Sequence, residues 1–488
     1  MRQHQALPLA PSRQDQAAFG LVAPGARAAL TLGVVGGFAM ATTLTTTYAL
    51  GLVNGPWWAA MAQAHGHLQL YGWAGLFALS IALHFVPRLR GEPLALQRFV
   101  PWIFIALVAG LALRGLAQPL AAAAPGALWQ VALVLSGLLE AAGLLGAVTA
   151  LGLTLFGKPG MRQRSALWGV APLIGGAFVA LGLSAVVNLN NVIGMAAYGE
   201  GGIIPAAGDQ LNVGLGLFGF LVPLALGMSA RTLPMYAGLD PFPRRMLWPL
   251  AGAWYAGLAL TLIPLVTPAP VWVVALGDLL MGATLVVFIG GFIRALALRG
   301  RLPRKVAALA PEPAARERDY RARVSQERGD YGPFVAIVAS AYLWALLAGA
   351  LFLLNGIGEM ITGAPLVAPD TIRHSLALGF IALLICGIAP RMVPGFSGGR
   401  IRTAGLVWAT LWLGDGAALL RVGSLLAAPA LADAGAAGAD IVKALFGLSG
   451  PFGLGLAICL LVNLWPALIS TGRPAAWRSA PSGDHAAS

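Results

Sequence analysis

The chain has 488 residues, of which 58% are hydrophobic and only 10% charged, and its formal net charge is +13. So apolar a composition lies outside the soluble range and indicates a polytopic membrane protein. The basic excess collects in links between apolar runs, which argues for loops on one side of a bilayer and against nucleic-acid binding. The two cysteines, Cys386 and Cys459, both fall inside apolar runs, so no disulfide framework is implied.

Residues 1–26 are polar and Pro-bearing, show no signal-peptide pattern, and read as a cytoplasmic tail. Runs of about 20 apolar residues can cross a bilayer. They predict twelve spans, at 27–52, 60–87, 99–119, 127–156, 166–191, 209–233, 245–267, 270–298, 332–360, 371–395, 401–428 and 440–470. The links from even to odd spans hold the basic residues: Arg88, Arg90 and Arg98; Lys158, Arg162 and Arg164; Arg244 and Arg245; a mixed-charge stretch over 299–331; then Arg400 and Arg402. The positive-inside rule therefore predicts cytoplasmic termini in a bacterial inner membrane. Residues 471–488 form the second tail.

The second, sixth and tenth spans repeat one pattern. It ends on Pro87, Pro234 and Pro394, with Gly72, Gly219 and Gly379 each 15 residues earlier. Gly91, Gly238 and Gly398 each follow by four. Twenty residues before the proline stand His67, Gly214 and His374. An even number of spans per repeat makes the copies parallel. The predicted fold is all-α: three four-helix repeats, 27–165, 166–298 and 332–470, around a pseudo-threefold axis.

An ionisable side chain within a span is costly and marks a functional candidate. The second and tenth spans run in the same direction, so His67 and His374 sit at matched depth. Imidazoles at matched depth on two helices suit axial ligation of one haem iron, which also needs an apolar slot. The competing reading is a hydrogen-bonded packing histidine. His65 points about 160° away from His67; repeat alignment selects His67, leaving His65 as a second metal ligand or an interface residue. His84, 17 residues after His67, is roughly 25 Å deeper on a rise of about 1.5 Å per residue. It occupies the place of Arg231 and Arg391 in the other copies, as a snorkelling basic ring or an inner anion contact. Arg114 and Arg421 each lie 27 residues after the repeat proline, where the second repeat has Thr261. They are candidates for the haem propionates, or else snorkel or pair with Glu140 or Asp415. Glu140, Asp278, Glu359 and Asp415 are the remaining intramembrane acids, fit for a proton path or for structural pairing. Asn188, Asn190, Asn191 and Asn355 read as cluster or capping residues at outer span ends.

The run AHGHLQLYGW with its paired histidines, the central SARTLPMY, and RHSLALGF followed by PRMVPGFSGGR resemble three motifs of the NnrS family of haem- and copper-containing bacterial membrane proteins. The likeness extends over all twelve spans and is sharp in those blocks. Leu68 and Gln69 stand where the family often has an acidic residue, and Phe396 and Ser397 where a late histidine is expected. The layout is also similar to the catalytic subunit of haem-copper oxidases and nitric oxide reductases, with His67 and His374 at the low-spin haem positions. The histidines of their binuclear centre have no counterpart between His84 and His374. The resemblance implies haem b and copper as cofactors, His65, His67 and His374 as metal ligands, and a role in the nitric oxide response. A membrane electron-transfer subunit working with a redox partner, and an anion transporter, are the alternatives; no conventional oxidase or reductase activity is expected.

Overall fold

The computed structural model describes residues 13–53, 55–157, 167–198, 201–236, 242–297 and 313–470. Among these residues it is helical without strands. Twelve helices are long and apolar enough to cross a membrane: Gln16–Ala49, Pro56–Arg90, Gln97–Ala123, Ala127–Phe156, Trp168–Tyr198, Ala206–Pro234, Arg244–Leu265, Val271–Ala297, Phe334–Thr362, Pro369–Ser397, Ala404–Ala432 and Gly435–Ile469. They match the predicted spans in number and order. The first begins earlier than expected. Residues read as tail are helical from Arg13, and Phe19, Val22, Ala23 and Ala26 are buried. Charges at Arg13, Asp15 and Arg27 and the proline Pro24 hid this turn, although a face of small and aromatic residues was there to bury. The mixed-charge link contains a further helix, Pro313–Tyr331.

Three spans form the inside. The second, sixth and tenth are 83%, 78% and 67% buried, against 28–56% for the other nine. The outer nine form a ring in the order first, third, fourth, fifth, seventh, eighth, ninth, eleventh, twelfth and back to the first. Lipid gives no hydrophobic drive for helix association, so close approach depends on small residues. A methyl group added at Gly219 would stand 2.7 Å from the Ala180 side chain, and one at Gly379 would stand 2.5 Å from Trp344. Gly91 and Gly398 play another part. They end the second and tenth spans with φ of 73° and 71°, a left-handed cap that favours glycine. Gly238 lies outside the described residues.

Each inner span widens into a π-helical segment: Leu68–Gly75, Gly214–Leu221 and Ser375–Ala382. The three segments meet at the centre of the bundle. A fourth, Gly33–Phe38 in the first span, packs on the one in the second. Such segments are rare and concentrate at functional sites. Here two of them begin at the residue after His67 and after His374.

Candidate functional site

Two positions on each inner span define how the spans face one another. Twenty residues before the repeat proline are His67, Gly214 and His374; 22 residues before it are His65, Asn212 and Ile372. His67 of the second span meets Asn212 of the sixth, with His67 Nδ1 3.4 Å from Asn212 Nδ2. Gly214 of the sixth lines a cavity with Ile372 of the tenth. His374 of the tenth lines a cavity with His65 of the second. Each position therefore looks toward the next inner span in one rotational sense. This differs from the expected pairing of His67 with His374. His67 and His374, at matched positions, thus face different neighbours and do not meet across one interface. The partner of His374 comes from two residues away, where the about 160° offset puts the other face of the helix.

The cavity shared by His65 and His374 measures about 330 Å³ and lies between the first, second, sixth, tenth and twelfth spans, with Arg421 reaching it from the eleventh. That is within the range of about 300–1,000 Å³ typical of small-molecule and cofactor pockets. Its walls are apolar, with Phe38, Trp58, Trp73, Leu378, Ile381 and Phe446, and Ala41, Gly66, Gly450 and Gly453 keep it wide. Both imidazoles are held through Nδ1. His65 Nδ1 donates to the Gly37 carbonyl at 2.8 Å, inside the π-helical segment of the first span. His374 Nδ1 donates to the Asp370 carbonyl at 3.0 Å and lies 3.1 Å from Asp370 Oδ1. A proton fixed on Nδ1 leaves the Nε2 lone pair of each ring as the ligating atom. Asp370 Oδ2 also accepts from Arg421 at 2.6 Å, so one carboxylate orients both the imidazole and the guanidinium. The Arg421 guanidinium lies 4.3 Å over the Phe446 ring, and its Nε and Nη1 have no hydrogen-bond partner among the described residues. Arg373, Asp209 and Gln63 complete the polar part of the lining.

The interface on the other side of the second span is closed by its own side chains. His67 Nε2 lies 2.5 Å from Glu140 Oε2, and Glu140 also accepts from Asn188 at 3.1 Å. Asn212 Oδ1 accepts from the Tyr71 hydroxyl at 3.1 Å while its amide faces His67. Arg114 is fully buried; its Nε donates to Gln118 at 2.7 Å, and Gln118 in turn donates to Gln63 and to the Gly202 carbonyl. Arg114 does not line the histidine cavity, so only Arg421 of the candidate propionate pair stands beside it. The Asn188 side chain is a buried part of this network and caps nothing, whereas Asn355 holds Val367 by both backbone groups.

The inner ring of basic residues is engaged within the protein. His84 packs against Phe19 and Phe396, and its Nδ1 accepts from Arg88 at 3.0 Å. Arg391 pairs with Glu327 of the link helix at 2.7 Å. Arg231 is half-buried in the matching place. Asp415 accepts from Ser340 and from the Trp344 indole at 3.1 Å, and among the described residues it pairs with no arginine. Asp278 and Glu359 line the cavity at the third interface. Among the described residues no three histidine, cysteine or acidic side chains converge as a metal site. Sequence reasoning passed over Asp370, Arg373 and Trp58. The signal for Asp370 was present: a carboxylate four residues before a histidine shares its helix face. No family model matches the chain, and no curated protein matches it either.

Proposed function

We propose that the chain is an integral membrane protein that binds haem b between its second and tenth spans, with His65 and His374 as axial ligands. We further propose that it serves the nitric oxide response that its resemblance to the NnrS family implies. The observation that carries the reading is one apolar cavity with two imidazoles on its lining, each fixed at Nδ1. When bound, the group supplies one-electron chemistry and an iron that nitric oxide can reach if a histidine leaves.

The residues of the chain do the rest. The Gly37 carbonyl and Asp370 hold the two imidazole planes, and such outer partners raise ligand basicity. Arg421, and Arg373 beside it, supply cations for carboxylate groups at the polar part of the cavity. Trp58, Trp73 and Phe446 keep the slot dry. The repeat-wise facing of the inner spans, and the ring order of the outer ones, support three repeats about a pseudo-threefold axis. The basic links support cytoplasmic termini, with the cavity's polar side toward the periplasm. A second reading, a membrane electron-transfer subunit, is favoured by having both histidines on one cavity, where both would hold the iron.

Purified protein decides between them. A Soret band at one haem per chain is expected, and its shift on nitric oxide addition supports the first reading. A band that nitric oxide leaves unchanged favours electron transfer. Colourless protein from haem-replete cells contradicts both.

A further inference from the structure

The third interface, between the sixth and tenth spans, holds a smaller cavity of about 140 Å³ that the haem reading does not use. It lies where odd spans finish and even spans begin. Asp278 of the eighth span and Glu359 of the ninth line it; they are 8% and 9% exposed. Glu359 Oε2 is buried without a hydrogen-bond partner, and neither carboxylate has an ion-pair partner among the described residues. Gln210, Thr261 and Asn355 bring neutral polar atoms from the sixth, seventh and ninth spans. The one other charged residue on the lining is Arg373 of the tenth span, which also lines the histidine cavity.

We propose that Asp278 and Glu359 form a proton-binding site, sharing one exchangeable proton. Two carboxylates in one buried cavity cannot both stay ionised, because each repels the other and neither is solvated. One proton leaves a single negative charge on a lining that also carries the Arg373 cation. The proton passes to water and back by breaking and remaking one carboxyl O–H bond; nothing else is transferred. A bound metal ion is disfavoured by the guanidinium on the same lining and by the lack of a third acidic or histidine ligand. Intramembrane carboxylates with such surroundings serve as proton carriers. The site shares Arg373 with the haem reading and otherwise uses none of its residues.

Infrared spectra of the purified full-length protein in lipid, taken as wild type minus variant, test it. Asp278→Asn and Glu359→Gln are each expected to remove the same single protonated-carboxyl band, one that shifts in D2O. The remaining carboxylate then pairs with Arg373 and ionises. Arg373→Gln is expected to add a second band of equal size, because both carboxyls then take up a proton; this holds the test open should one acidic variant fail to fold. A band that survives in either single acidic variant overturns the sharing. Loss of the wild-type band on adding sodium ions at constant pH overturns the proton in favour of a cation, and absence of any difference band overturns the site.

Discussion

The second span presents two histidines to two interfaces, and the two interfaces end in opposite states. Toward the sixth span, His67 is met by Glu140 and Asn212, which Asn188 and Tyr71 hold in turn, although Glu140 Oε1 and Asn188 Oδ1 are buried without a partner among the described residues. Toward the tenth span, His65 is met by a cavity. The difference traces to a few residues. The twelfth span offers Ser449, Gly450 and Gly453 to the cavity, whereas the fourth offers Glu140 to the closed side. A buried histidine with a carboxylate at hydrogen-bond distance is a satisfied packing element. A histidine whose Nδ1 is pinned and whose ring lines a largely apolar cavity is placed to meet a ligand. The comparison teaches that a histidine's sequence neighbours matter less here than what the facing helix brings.

The largest effect expected from breaking the open side is loss of the cofactor. His65→Ala and His374→Ala should each abolish the low-spin haem spectrum of the purified protein, while His67→Ala keeps it. The closed side should respond in stability. His67→Ala or Glu140→Ala leaves buried polar groups without partners, at a cost of about 3 kcal/mol, read as a lower Tm with haem content unchanged. Haem loss in His67→Ala as complete as in His65→Ala would erase the distinction. Asp370→Asn sharpens it: the outer partner of a ligating histidine typically accounts for about 10-fold or more in affinity, so haem should leave the variant about that much faster in a transfer assay. The mirror change on the closed side, Asn212→Ala, should leave the transfer rate as it was. Smallest is Arg391→Gln, which breaks the part-buried pair with Glu327, whose side chains are 27% and 19% exposed. An ion pair still open to water contributes about 1 kcal/mol, so Tm should fall only slightly; a large fall would mean that the link helix clamps the bundle.

Much of this was legible in the chain. Hydrophobic runs gave twelve spans because a bilayer leaves no other way to satisfy the backbone. The proline and glycine spacing picked out the inner three, since those spans share one packing problem. Charge in apolar surroundings marked His65, His67, His374, Arg114 and Arg421 as candidates, but the spacing favoured His67 over His65 as the partner of His374. What the spacing did not carry was direction. Matching His67 with His374 identifies rotational equivalents, and equivalents face different neighbours. Deciding which of His65 and His67 meets the tenth span requires the absolute phase of the helix, and the π-helical segment after His67 shifts that phase for the rest of the span. Arg114, read as a propionate partner or else as snorkelling or pairing with an acid, matches Arg421 in spacing but does not line the histidine cavity. The helical turn before residue 27 stayed hidden because its charges outweighed the small buried face around Phe19.

The most direct test is near-infrared magnetic circular dichroism of the oxidised protein, which reports both axial ligands of a haem. The account predicts a bis-imidazole signature in wild type and in His67→Ala, and its loss in His65→Ala. A bis-imidazole signature that persists in His65→Ala and vanishes in His67→Ala would contradict it.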